Sequence, residues 1–193
     1  MCASVAEQNV NLVPMAQVQL DSGEIEEVVA VLRSGQLREG PRCARFESQF
    51  AEVVGARHAV AVSSGTAALH LAWAALLRPG DEVLVPAFTF MATASAVILA
   101  GGRPIFCDVE PATATIDVED ARRRITARTR GIAPVHLYGN ACDVPRVRSL
   151  ASEHGLKVVW DAAQAHGTRL GGQDVGSFDD IVCFSFYPTK NMT

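Results

Sequence analysis

Residues 157–167 read KVVWDAAQAHG, and Val158, Val159 and Trp160 carry the reading of the fold. A strand with one face in water alternates apolar and polar side chains, because successive residues point to opposite sides of the sheet. This run does not alternate, so it predicts a strand covered on both faces, as in a parallel sheet sandwiched between helices. Similar runs occur at 58–62 (HAVAV), 82–86 (EVLVP), 104–109 (PIFCDV), 131–136 (GIAPVH) and 181–186 (IVCFSF). They alternate with helical stretches at 66–77, 90–100, 117–125 and 143–154. Two further helices are expected upstream. Asp21 and Glu24 stand as a capping-box pair before IEEVVAVLRSG, and Pro41 opens a segment that Gly55 closes. The fold class is therefore α/β, a mostly parallel sheet with helices on both faces. In such sheets ligands collect beyond the carboxyl ends of the strands.

The 193 residues, about half of them apolar, suffice for one substantial core. Seventeen Lys and Arg against 21 Asp and Glu leave a net charge of -4. That lacks the basic excess that nucleic acid or an anionic membrane surface calls for, so neither is expected as a partner. The five cysteines are widely spaced, with neither a Cys-x-x-Cys pair nor metal-ligand histidine spacing, and read as buried thiols in a reducing compartment. No metal site is expected. MCASVAEQNV lacks the charged and apolar regions of a secretory signal, and no apolar run reaches membrane-spanning length, so a cytoplasmic protein is expected. The basic run ARRRITARTR at 121–130 reads as the solvated face of a helix and its exit.

Four places could carry chemistry. Ser63, Ser64, Gly65 and Thr66 lie where the 58–62 run meets a helix start, either as an ordinary N-cap or as an anion site built from free N–H groups. No Gly-x-Gly-x-x-Gly fingerprint or P-loop is present. Phe88 and Phe90 follow the strand ended by Pro86, and either fill the core or offer a ring to a flat heterocycle. Asp161 ends an otherwise apolar strand, where a carboxylate needs a cation or several donors. A pyridinium nitrogen would meet that need, and so would a cap on the following turn. Lys190, in FSFYPTKN beyond the strand containing Ser185, is either a solvated loop residue or a nucleophilic amine, for which an aldehyde cofactor is the natural partner. His136 in PVHLYGN is either structural or a substrate contact, and His58 and His70 read as structural.

Seven ordered blocks, SGQLREGPRCARFE, SSGTAALHLA, VPAFTFMATASAV, PIFCDVEPATATID, APVHLYGNACDV, WDAAQAHGT and FSFYPTKN, span the chain from about Val18 onward. Together they resemble the DegT/DnrJ/EryC1/StrS sugar aminotransferases, pyridoxal 5'-phosphate enzymes of the aspartate-aminotransferase fold. The resemblance implies that Lys190 forms the imine with the cofactor aldehyde and that Asp161 faces the pyridinium nitrogen. It further implies Gln164 at the phenolic oxygen, Phe90 stacked on the ring, and Gly65, Thr66, Ala67 and Ser185 around the phosphate. The implied reaction moves an amino group from glutamate or glutamine to a keto-sugar, usually nucleotide-linked, or a related cyclitol, in a homodimer. Family relatives with histidine in place of the lysine carry out dehydration, so Lys190 favours amino transfer. The alternatives are a dehydratase using the same cofactor and a non-catalytic cofactor-binding or regulatory protein. Residues 1–15 are expected to form an extension and 16–193 the cofactor-binding large domain, with the small C-terminal domain lying outside this chain.

Overall fold

The computed structural model describes Pro14, residues 16–178 and residues 180–192. The expected extension, residues 1–15, lies outside the described residues apart from Pro14. Five strands form one parallel sheet: β1 (Glu82–Pro86), β2 (Arg103–Cys107), β3 (Thr129–Ile132), β4 (Lys157–Asp161) and β7 (Ile181–Cys183), in the spatial order β2-β1-β3-β4-β7. The short strands β5 (Arg169–Leu170) and β6 (Gln173–Asp174) pair as a separate antiparallel hairpin. Because β2 lies on one side of β1 and β3 on the other, the order reverses between β1 and β3, and in such sheets ligands gather at the carboxyl ends beside that switch point.

The absence of alternation in the strands has a direct cause in the packing. Val83, Val85 and Val159 belong to a core shared with α3 (Gly65–Leu76) and α4 (Met91–Leu99). Their neighbours Leu84, Val158 and Trp160 belong to a second core, on the other face, with α5 (Val118–Arg123) and α6 (Val144–His154). The central strands β1 and β4 thus bury both of their faces. Trp73 of α3 is fully buried and lies so close to Gly131 of β3 that a Cβ there would come within 2.6 Å of its ring. Helix α3 can press onto the sheet only because residue 131 has no side chain.

The caps follow the sequence. Asp21 and Glu24 form the reciprocal capping box of α1 (Ser22–Ser34), and α2 (Pro41–Val54) has Pro41 in its first turn and ends on Gly55 at φ 73°. α1 buries none of its residues and is tied to α2 through Glu27, which pairs with Arg42 and Arg45.

One expected strand does not form. Residues 58–62 join no ladder, and the Ala61 N–H donates instead to the Glu47 carboxylate at 2.8 Å. β propensity needs a neighbouring strand to express it, and none lies within reach. A cleft of about 860 Å³, lined by Phe50, Val60, Leu71 and Ile181, separates this segment from the β7 edge. The described cysteines, Cys43, Cys107, Cys142 and Cys183, are all free thiols, and burial pushes the last three up to about 12. Among the described residues there is no group of side chains that could hold a metal and no helix long and apolar enough to cross a membrane.

Candidate active site

The polar residues singled out in the sequence stand at the carboxyl end of the sheet. Asp161 is the last residue of β4 and is only 4% exposed. Its Oδ2 accepts from the Thr93 hydroxyl at 2.7 Å and its Oδ1 from the Ala163 N–H at 3.1 Å. Its backbone is fixed as well, since its N–H donates to Pro134 and its carbonyl accepts from the His136 N–H. Thr93 is itself fully buried in the first turn of α4, and its hydroxyl shares a 3.0 Å hydrogen bond with that of Thr89.

A comparison within the protein shows what Asp161 lacks. The other carboxylate that ends a strand in the interior is Glu82, at the start of β1. It accepts from Thr126 at 2.5 Å and from Arg128 at 2.8 Å, and these contacts hold its carboxyl below the usual range despite burial. Asp161 shifts the other way. Burial raises its pKa, and the bonds from Thr93 and Ala163 and the positive field of Lys190 offset that only in part. A buried carboxylate without a bonded cation is costly, so this end of β4 favours a positive group at its oxygens.

Lys190 lies in the loop after β7, half-buried, its N–H donating to the Tyr187 carbonyl at 2.8 Å. Its charge reaches both Asp161 and His166. His166 has both ring nitrogens buried without a hydrogen-bond partner and packs 5.2 Å from the rings of Phe184 and Phe186. Burial first, then Lys190, lowers its pKa.

The expected anion site is built where α3 meets the end of β7. A Cβ on Gly65 would stand 2.9 Å from Ser185 Cβ and 3.2 Å from the Phe184 carbonyl oxygen, so glycine brings the helix start against Ser185. Ser64 is the N-cap, and its Oγ accepts from the Ala67 N–H at 3.1 Å. The Ala67 donor is thus taken by the cap, and the amides of Gly65 and Thr66 are those with no bond within the protein among the described residues. Such amides at a helix start favour an anion. Replacing Gly65 with Ala should force α3 away from the Phe184 backbone and lower stability by about 1–3 kcal/mol, read as a lower urea midpoint. An unchanged midpoint would mean that the contact is loose.

The structure disperses the remaining candidates more widely. Phe90, the N-cap of α4, is 68% exposed beside the turn that carries Thr93, so its ring is not core. Gln164 accepts from the Tyr138 N–H at 2.8 Å through Oε1. His136 is a structural residue: it is wholly buried, stacks on Trp160 at 5.1 Å and 8°, and accepts from the Cys142 N–H, and burial lowers its pKa to about 4. The cleft beside β7 meets this region through Ser63, Ser64 and Gly65 and through Phe184–Tyr187, but its lining excludes Asp161 and Lys190. The chemistry follows the polar side chains and not this cleft. Sequence reading missed Thr93, whose one trace was a hydroxyl amid the small apolar residues of MATASAV, and it missed His166.

A primary amine, a buried carboxylate favouring a cation, and a helix start with two amides unbonded among the described residues thus occupy one end of one sheet. Residues 18–193 match the model of the DegT/DnrJ/EryC1/StrS aminotransferase family. The chain is 40% identical over 184 residues to the GDP-perosamine synthase of Vibrio cholerae, covering 94% of this chain and 50% of that protein. It is 50% identical over 148 residues to a UDP-N-acetyl-3-dehydro-alpha-D-glucosamine 3-aminotransferase of Acidithiobacillus ferrooxidans, covering 76% and 40%. The sugar aminotransferase Spr1654 of Streptococcus pneumoniae, described as putative and solved in its PLP form, superimposes with a TM-score of 0.90 at 32% identity, over 94% of this chain and 50% of that one. The chain therefore spans about half the length, or less, of the curated relatives it matches.

Proposed function

Because this chain belongs to the DegT/DnrJ/EryC1/StrS aminotransferase family, we propose that it is the cofactor-binding large domain, residues 16–193, of a pyridoxal 5'-phosphate-dependent aminotransferase. The proposed reaction moves an amino group from glutamate or glutamine to a keto-sugar, nucleotide-linked, or to a related cyclitol. Asp161 carries this reading: a carboxylate held in the interior by Thr93 and Ala163, with its pKa raised by burial, in the field of a lysine. The printed names of the relatives, a GDP-sugar synthase and a UDP-sugar aminotransferase, support the substrate class.

The residues fit the cofactor chemically. Gly65 leaves room at the start of α3, and the amides of Gly65 and Thr66 with the Ser185 hydroxyl are suited to its phosphate, Ala67 lining the same turn. When bound, the cofactor supplies an aldehyde and an electron-accepting ring. Asp161 would hold the proton on the ring nitrogen, and Thr93 would keep that carboxylate oriented. Gln164 would donate to the phenolic oxygen and the exposed Phe90 would cover the ring. Lys190 Nζ would bind the aldehyde carbon and, once freed by the incoming donor amine, remove the proton from the donor α-carbon. A homodimer in the cytoplasm, with no nucleic-acid or membrane partner, completes the proposal, and the free buried thiols agree with a reducing compartment.

The test uses the longer protein that carries this chain. With pyridoxal phosphate, nucleotide-linked keto-sugars and glutamate or glutamine, it should form a 2-oxo acid and an amino-sugar in equal amounts. Release of water without nitrogen transfer would identify a dehydratase, and protein that stays colourless with added cofactor would identify a non-catalytic member.

A further inference from the structure

The segment between β3 and α6 contains a backbone conformation that its side chain does not explain. Tyr138, in the short turn Leu137–Gly139, has φ 54° and ψ 27°. This is the left-handed region, where a residue with a side chain loses roughly 1–2 kcal/mol relative to the right-handed one. Burial of the ring does not offset that, because the residue is 75% exposed. What the conformation does achieve is the direction of the main-chain N–H, which donates to Gln164 Oε1 at 2.8 Å. The turn is clamped on both sides. His136 N–H donates to the Asp161 carbonyl at 3.0 Å, and the Thr168 hydroxyl donates to the Gly139 carbonyl at 3.0 Å. The strained turn therefore bridges the loop that starts at Asp161 and runs through Gln164 to Thr168.

We propose that Tyr138 is a positioning residue that acts through its main chain, its left-handed N–H locking the Gln164 side-chain amide in one of its two orientations. An N–H can meet only the oxygen of that amide, so Oε1 is committed to Tyr138 and the NH2 group alone is left to face a ligand. No hydrogen bond within the protein occupies that NH2 among the described residues. The lock presents a donor, never an acceptor, to an oxygen carrying negative charge. This inference rests on the proposed cofactor, whose phenolic oxygen is such a group. Strain held at a functional site in return for pre-orientation has this form.

Two substitutions separate the main chain from the ring. Tyr138→Val removes the ring and places a β-branched residue where it is a genuine outlier, so the turn should relax and release Gln164. Tyr138→Gly also removes the ring but tolerates positive φ, so it should rescue the lock. In the longer protein, Tyr138→Val should bind pyridoxal phosphate about tenfold more weakly, the equivalent of about 1.4 kcal/mol. It should also raise the pH midpoint of the bound cofactor's visible absorbance, because the charged phenolic oxygen loses a donor. Tyr138→Gly should restore both toward the parent values. In the cofactor-free protein, the Tyr138 amide should exchange slowly with solvent deuterium, and Gln164→Ala should speed that exchange. If both variants weaken binding equally, the ring and not the main chain is the active part, and the inference fails. It fails also if the Val variant matches the parent. A parent protein that binds no pyridoxal phosphate overturns instead the functional reading on which it rests.

Discussion

Asp161→Asn is expected to make the cofactor-free protein more stable at neutral pH while weakening its hold on pyridoxal phosphate by about a hundredfold. The two effects have one cause. Burial disfavours the charged carboxylate, and Thr93, Ala163 and Lys190 recover only part of the loss. The native carboxyl therefore keeps its proton to higher pH than the same group in the unfolded chain, whose ordinary value is 3.8. Between 3.8 and the raised native value the folded state binds more protons, so stability falls as pH rises through that window, and the full penalty persists above it. Asn carries no charge at any pH. Its oxygen can accept from Ala163, and its NH2 can donate to a rotated Thr93 hydroxyl. Its stability advantage should therefore be largest at neutral pH and vanish as the solution is acidified below 3.8. With cofactor bound the order reverses, because a charge-assisted contact to the ring nitrogen, worth about 1.5–3 kcal/mol, is lost. Urea midpoints against pH, with and without cofactor, test both halves. An advantage that does not change with pH would show that ionisation of Asp161 is not what burdens the fold.

The same carboxylate marks how much was legible in the sequence. Asp161 and Lys190 stood out because each broke a local pattern, a charge closing an apolar strand and a lysine just past another. The two-faced strands were legible for a related reason: their composition records burial without reference to any particular partner. The 58–62 run carried the same composition, yet it forms no strand here, because strand formation depends on a neighbour that its own residues do not supply. Thr93 was illegible because its meaning lies in a bond to a residue 68 positions away. The lock between Tyr138 and Gln164 spans 26 positions and depends on a backbone angle, for which a tyrosine gives no local signal. Glu82 shows the converse. It is as buried as Asp161 but has Arg128 and Thr126 bonded to it, so only the structure separates the structural carboxylate from the one that favours a ligand.

Lys190→Ala in the longer protein should abolish the visible band of bound pyridoxal phosphate and reduce amino transfer by about 10⁴-fold or more, since it removes both the nucleophile and the base that works at the α-carbon. Two comparisons make this result specific. Lys190→Arg keeps a positive charge in the field of Asp161 and His166 but cannot release its proton near neutral pH. It should be as inactive as the Ala variant. In the cofactor-free protein the two should nonetheless differ. Removing the cation raises Asp161 further and relieves His166, so Lys190→Ala should widen the pH-dependent stability gap to its Asp161→Asn double mutant, whereas Lys190→Arg should leave it near that of the parent. A small primary amine added to Lys190→Ala should restore part of the turnover, because it can take the α-proton without being tethered, and it should do nothing for Lys190→Arg, where the guanidinium fills the space. Turnover and spectrum unchanged in Lys190→Ala would take this lysine out of the chemistry. A loss in the Ala variant that the amine cannot repair, with its fold intact and its cofactor affinity lowered, would assign Lys190 to holding the cofactor and the proton transfer to another group, for which His166, with both ring nitrogens unpartnered and within the field of Lys190, is the candidate base.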